Sequence, residues 1–261
     1  MTVSGVGVHS GSRCSVRLHR EDGPLRIRKG RETIPVDIDH VVDAHRSITL
    51  GSGAARVATV EHLLAALHVR GFWSGVLIEV EGDELPILDG SAAPWLPAVE
   101  SLGAPPPRPA AQTVTRTLEV ELGGSSATLE PGAPHLQVEV EYPHPAVGRQ
   151  LWAGPPERWE AQLLDARTFG FSEELEYLRA RDLARGASLE NAIVFGENGP
   201  LQALRYPDEP VRHKALDAVG DLLLSGRPLA GRLRIVRGSH RLHVELMRKL
   251  RTRKPPLEEA R

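Results

Sequence analysis

V-E-H-L-L-A-A-L (60–67) and V-R-H-K-A-L-D-A-V-G-D-L-L-L (211–224) decide how this chain folds. Both open V-x-H, and both space their apolar residues as a helix does. A Gly-containing break follows each, then a strand pattern that closes on Gly: G-V-L-I-E-V-E-G (75–82) and G-R-L-R-I-V-R-G (231–238). A further helix is expected after each strand, over S-A-A-P-W-L-P-A-V-E-S-L (91–102) and over 239–251. Two copies of one α+β unit explain this echo. Between the copies lies G-A-P-P-P-R-P-A-A-Q (103–112), whose prolines continue neither a helix nor a central strand. The expected organisation is an N-terminal α+β domain over 1–105, a Pro-rich linker over 106–112 and a C-terminal α+β domain over 113–261.

Shorter signals fill in the rest. Alternation over Thr113–Leu122, Ala127–Leu129 and Leu136–Tyr142 predicts a strand meander that opens the second domain. Helical spacing recurs in 157–165 and 172–183, and 188–195 reads as a short apolar strand. Thr59 and Ser91 stand where helix caps belong, and Pro94 fits a first turn. G-V-G-V-H-S-G (5–11) lacks the G-K-S/T of a phosphate loop and reads as a turn between strands. G-G-S-S (123–126) reads as a hairpin turn, and the charged tail 248–261 as a frayed end.

Composition bounds the function. The chain has 261 residues, 41% of them hydrophobic and 25% charged, which is ordinary for a globular protein. Four Phe, four Trp and three Tyr leave the core to Leu, Val, Ile and Ala, and supply few stacking platforms for single-stranded nucleic acid. A net charge of −2 gives no basic field for nucleic acid. No apolar run reaches the roughly 18 residues of a membrane span, and the first residues lack a signal-peptide core. A cytoplasmic protein is therefore expected. The single cysteine, Cys14, excludes a cysteine-rich metal module, so any metal would be held by His, Asp and Glu.

Two neighbourhoods could carry chemistry. In 211–221, helical His213, Asp217 and Asp221 fall at i, i+4 and i+8 along one face. A charged stripe facing solvent is one explanation. The many apolar neighbours favour a domain junction instead. In 59–67, Glu61 and His62 open a very apolar helix, where a lone His is commonly a boundary residue. Together, His62, His213 and Asp217 would make the three N/O ligands of an open zinc site. The residues by themselves leave both explanations standing.

Seven ordered motifs add a resemblance: S-G-V-G-V-H-S-G (4–11), T-V-E-H-L-L-A-A-L (59–67), E-L-P-I-L-D-G-S-A-A-P-W (84–95), P-H-P-A-V-G-R-Q (143–150), A-R-T-F-G-F (166–171), L-A-R-G-A-S-L-E-N-A-I-V (183–194) and R-Y-P-D-E-P-V-R-H-K-A-L-D-A-V-G-D (205–221). In this order they resemble the UDP-3-O-acyl-N-acetylglucosamine deacetylases, zinc amidases of lipid A biosynthesis. The resemblance implies two similar α+β domains, with helices sandwiched between two sheets. It also implies insertions near 37–57 and 168–196 that shape the site. It implies zinc on His62, His213 and Asp217, with Fe²⁺ an alternative ion. Glu61 matches the general base, His240 the general acid and Asp221 the carboxylate paired with it. Lys214 and Thr168 match active-site positions, Thr168 as an oxyanion partner. Substrate contacts are implied at Phe169, Tyr142 and Arg237, and an acyl passage at Leu175, Ala187, Ser188, Ala192 and Val194. The implied partner is one small acylated UDP-sugar, bound by a monomer.

The chain departs from the family pattern at one place above all. R-G-S-H-R-L-H-V (237–244) stands where K-S-G-H-x-L-N-N is usual. Gly and Ser are exchanged, Arg replaces Lys, and the Asn pair is missing. Gly-Ala-Ser (186–188) also replaces Gly-Gly-Ser. These departures motivate two alternatives: a different nucleotide sugar as substrate, or a non-catalytic binding protein. Retention of base, acid and ligands argues against the second.

Overall fold

The computed structural model describes residues 1–252. Strand alternation builds its two large sheets. β1 (Thr2–Val6) and β2 (Arg13–Pro24) form the hairpin expected around 5–11, with Val3 opposite Val16. Cys14, Val16 and Leu18 of β2 point inward. β3 (Arg26–Lys29) and β4 (Glu32–Pro35) pair next. A small sheet follows, from β5 (Val41–Asp43), β6 (Thr49–Ser52) and β7 (Ala55–Val57). Then come α1 (Glu61–Val69), β8 (Ser74–Glu81) and, after a 3₁₀ turn, α2 (Leu96–Glu100). The first sheet has the order β1-β2-β8-β3-β4. β8 runs antiparallel to β2 and parallel to β3.

The second half repeats this plan. β9 (Gln112–Thr113) precedes β10 (Leu118–Leu122), β11 (Ser125–Glu130), β12 (His135–Glu141) and β13 (Arg149–Gly154). α3 (Trp159–Leu163), β14 (Phe169–Phe171), α4 (Leu175–Arg179), β15 (Ile193–Gly196) and β16 (Gly199–Pro200) follow. The chain then forms α5 (Glu209–Leu222), β17 (Leu229–Ala230), β18 (Arg232–Val236) and α6 (His240–Thr252). The second sheet has the order β10-β11-β18-β12-β13, with β18 antiparallel to β11 and parallel to β12. The last strand of each half thus enters its sheet at the same place.

Helices fill the space between the sheets. α1 is apolar nearly all round and buried from Glu61 to His68, as a helix covered on every side must be. Leu63, Leu64 and Leu67 pack with the first sheet, and Ala65 with the second. α6 divides likewise: Val244 and Met247 join the first core, Leu242, Leu246 and Leu250 the second.

Several local expectations are corrected. The meander is interrupted, because β18 inserts between β11 and β12. Thr113–Leu122 is not one strand: Gln112 and Thr113 pair with Leu229 and Ala230 before the chain crosses to β10. Thr59 caps nothing. It has φ +57° and donates its hydroxyl to the buried Glu84 carboxylate. Ser91 likewise donates to Asp89. Of the apolar stretch 188–195 only Ile193–Gly196 is strand, and the helix expected over 172–183 ends at Arg179. The Gly123–Gly124 hairpin turn is as expected, both residues having positive φ. The end of the charged tail, from 253 on, lies outside the described residues.

One close approach sets the helix layer. A Cβ at Gly220 of α5 would lie 2.2 Å from the Glu61 carbonyl oxygen and 3.2 Å from Ala65 N of α1. Gly220→Ala must therefore push α1 away. It is expected to lower unfolding stability by about 1–3 kcal/mol, the range for overpacking a close-packed core. Urea denaturation measures this, and an unchanged midpoint contradicts it.

Candidate active site

The α1–α5 contact brings the two sequence neighbourhoods together. His62 and Glu61 come from the first turn of α1, His213, Asp217 and Asp221 from successive turns of α5. His68, at the far end of α1, ties the helices again by donating Nδ1–H to Val219 O at 2.6 Å.

His62, His213 and Asp217 converge, each buried, with their ligand atoms all within 4.8 Å of one another. Asp217 Oδ1 lies 3.4 Å from His213 Nε2 and 3.9 Å from His62 Nε2. His213 donates Nδ1–H to Ala166 O at 3.0 Å, so its Nε2 carries a lone pair. Burial pushes the His62 imidazole down to about 3, with His213 adding to the effect, and burial lowers His213 as well. Both rings are therefore neutral near pH 7. Burial opposes charge on Asp217, but Lys214 Nζ at 2.9 Å holds it well below the usual carboxylate range. Lys214 pays back the effect: despite its own burial, Asp217 raises it above the usual lysine value.

Glu61 and His240 form a second group beside the first. Glu61 Oε2 accepts from Ile48 N–H at 3.0 Å, and Oε1 lies 3.6 Å from His240 Nε2. Burial raises the Glu61 carboxyl to about 7, although His240 pulls the other way. His240 donates Nδ1–H to Asp221 Oδ2 at 2.8 Å. Burial disfavours its charge, but Asp221 and Glu61 outweigh this and raise it to about 9.

Around this centre the structure gathers some expected contacts and not others. Phe169 stands against His213 and Tyr142, with ring centroids 6.3 and 5.4 Å away. Thr168 is tied by backbone bonds to Gly90 and Ile193, next to Phe169. Leu175, Ala187, Ala192 and Val194 are half-buried on the 168–196 insertion, whereas Ser188 is exposed and accepts from Glu190 N–H in its own turn. Arg237 is not drawn into the cluster. It is exposed, and its guanidinium donates to Gly124 O and faces Glu141 at 3.7 Å.

Two contributors escape a reading of the sequence. Ile48 acts through its backbone N–H, which no side-chain pattern announces. His243 donates Nδ1–H to Asp221 at 2.7 Å, and the H-x-x-H spacing of 240–243 was the signal for it.

The family model described as UDP-3-O-acyl N-acetylglycosamine deacetylase matches residues 1–252. The chain belongs to this deacetylase family. It is 39% identical to the UDP-3-O-acyl-N-acetylglucosamine deacetylase of Thermosynechococcus vestitus, over 94% of this chain and 89% of the relative. It is also 39% identical to the enzyme of that name from Brucella ovis, over 96% and 92% respectively.

A divalent metal fits this deacetylase's His/His/Asp cluster on chemical grounds. The His213 Nε2 lone pair faces an ionised carboxylate oxygen with no proton between them, an arrangement that repels unless a cation joins it. Ligands about 2.0–2.1 Å from a tetrahedral zinc stand about 3.3–3.4 Å apart, the spacing of His213 Nε2 and Asp217 Oδ1, while His62 Nε2 at 3.9 Å from Asp217 stands somewhat wider. Cys14 is no ligand: it sits buried on β2, and burial raises its thiol to about 11. His62→Ala, His213→Ala and Asp217→Ala should each purify with little bound metal, whereas Cys14→Ser keeps the parent's metal content. Elemental analysis after gel filtration decides it; full metal content in the Asp217→Ala protein would contradict the assignment.

Proposed function

We propose that this chain hydrolyses the N-acetyl amide of UDP-3-O-acyl-N-acetylglucosamine, releasing acetate and the free glucosamine amine. The observation that carries the proposal is the position of Glu61. Its carboxylate lies 3.6 Å from a histidine backed by Asp221, and that histidine lies 4.0 Å from Asp217 of a His/His/Asp cluster fit for a metal. Zinc suits His62, His213 and Asp217, and Fe²⁺ suits the same N₂O donors. Bound there, the ion would polarise the amide carbonyl and make a nearby water more acidic.

The side chains divide the remaining work. Glu61 takes a proton from the attacking water, with Ile48 N–H holding Oε2 so that the carboxylate stays aimed. His240 points Nε2 inward because Nδ1–H is committed to Asp221, so Nε2 delivers the proton to the departing amine. The raised pKa of His240 keeps that proton available at neutral pH. Thr168 offers a donor to the developing oxyanion, and Lys214 adds positive charge close by. Phe169 and Tyr142 wall the sugar end, and Leu175, Ala187, Ser188, Ala192 and Val194 line the acyl passage. Arg237 is assigned to the diphosphate, which it reaches on release from the Gly124 turn. Remote contacts of this kind position the amide for attack.

On the same reading the chain divides into units over 1–105 and 113–261, joined by 106–112, and the catalytic groups come from both. The protein acts as a monomer in the cytoplasm on one small molecule. Among the described residues no helix is long and apolar enough to cross a membrane.

Glu61→Ala and His240→Ala should each lower turnover by roughly 10²–10⁴-fold with metal still bound, the range for an acid–base residue. Wild-type turnover in metal-loaded Glu61→Ala would sink the role of Glu61. Activity should also follow a bell in pH. Glu61 works deprotonated, so the rate rises as pH passes its value near 7, and a bound dication moves that limb lower. His240 works protonated, so the rate falls as pH passes about 9. Asp221→Asn removes the charge that favours imidazolium, and the falling limb should shift to lower pH. A falling limb that stays in place in this variant counts against the pairing.

A further inference from the structure

Behind His240, the carboxylate of Asp221 serves two rings. Oδ2 accepts from His240 Nδ1–H at 2.8 Å and from His243 Nδ1–H at 2.7 Å. Asp221 is fully buried, and Oδ1 has no hydrogen-bond partner among the described residues. Burial works against its charge, yet the two histidines keep it below the usual carboxylate range, so it is an acceptor and both Nδ1 atoms are donors. The two rings stand 82° apart, with centroids separated by 6.2 Å. They therefore approach one oxygen from different directions. The carboxylate cannot swing toward or away from His240 without losing its bond to His243.

The same ring explains the local sequence. His243 is buried, and its Nε2 faces the backbone of Gly238. A Cβ at Gly238 would lie 3.0 Å from that Nε2 and 2.5 Å from Cγ2 of Ile235. Ile235 is locked in the second core, so it cannot give way. A residue without a side chain leaves room for Ile235 and the imidazole together. The serine sits one position later, where Ser239 Oγ accepts from Leu242 N–H and caps the first turn of α6. Gly238, Ser239 and His243 thus fit one another: glycine where the ring needs space, serine where the helix needs an acceptor.

We infer that His243 is a positioning residue for the His240–Asp221 pair, and that Gly238 is the residue that admits it. The inference rests on the assignment of His240 as proton donor. His243 does not reach the reacting atoms; it acts by holding Asp221. Asn in its place keeps a donor where Nδ1 now lies, whereas Leu fills the space with none.

Kinetics on the acylated UDP-sugar and thermal unfolding test both halves. His243→Leu should lower kcat by about tenfold, the low end for loss of a supporting hydrogen bond, with KM and metal content unchanged. His243→Asn should recover most of that loss. Unchanged kcat in His243→Leu, or an equal loss in both variants, overturns the positioning role. Gly238→Ser should lower the melting temperature, and combining it with His243→Asn should recover the part owed to the ring, Ile235 keeping the rest. Strictly additive melting shifts overturn the packing half. Full turnover in His240→Ala would instead mean that the catalytic assignment is wrong, and the melting cycle would still report on Gly238 and His243 independently of it.

Discussion

The site depends on how closely α1 approaches α5. At Gly220 the α5 backbone lies where no side chain fits, directly under the Glu61 carbonyl. That contact sets the distance between the first turn of α1 and the inward face of α5. Apart from His240, the proposed metal ligands and acid–base groups are carried by these two helices. The His68 bond to Val219 O holds the other end of α1, with Trp73 and Trp159 packed around the ring. Since burial lowers His68 to about 4, it stays neutral and the tie does not respond to pH in the neutral range.

So many ionisable groups inside a helix layer require mutual compensation. An isolated buried carboxylate would be too costly to keep ionised. Here Asp217 is matched by Lys214, and Asp221 by His240 and His243. Glu61 has only a backbone N–H and a histidine at 3.6 Å, and it is the one carboxyl of the three raised to about 7. The least compensated acid is the one proposed to accept a proton. A carboxylate held as firmly as Asp217 would be a poor base.

The two halves share a strand order but contribute differently. Each puts its last strand into the middle of its sheet and then releases a helix into the layer between the sheets. Each also carries an inserted three-stranded sheet. The first supplies Ile48 to orient Glu61, and the second brings Phe169 against His213 and Tyr142. A repeated framework with unlike insertions thus yields an asymmetric site.

Much was legible in the residues themselves. Strand alternation and helical spacing are local, so 60–67, 75–82, 211–224 and 231–238 announced their elements and the duplicated plan. Ligand types could be narrowed to His, Asp and Glu because only one cysteine exists. Local pattern misjudged Thr59 and Ser91, whose hydroxyls found carboxylates on distant or turning backbone instead of helix ends. It missed the place of β18 between β11 and β12, because strand order is a long-range choice. The sequence by itself determined the elements, the repeat and the supply of chemical groups, since these follow from residue type and period. Only the tertiary structure decided which groups meet. The approach of two helices at Gly220, the N–H of Ile48 and the second ring on Asp221 arise from segments far apart in the chain, and no local period encodes their distance.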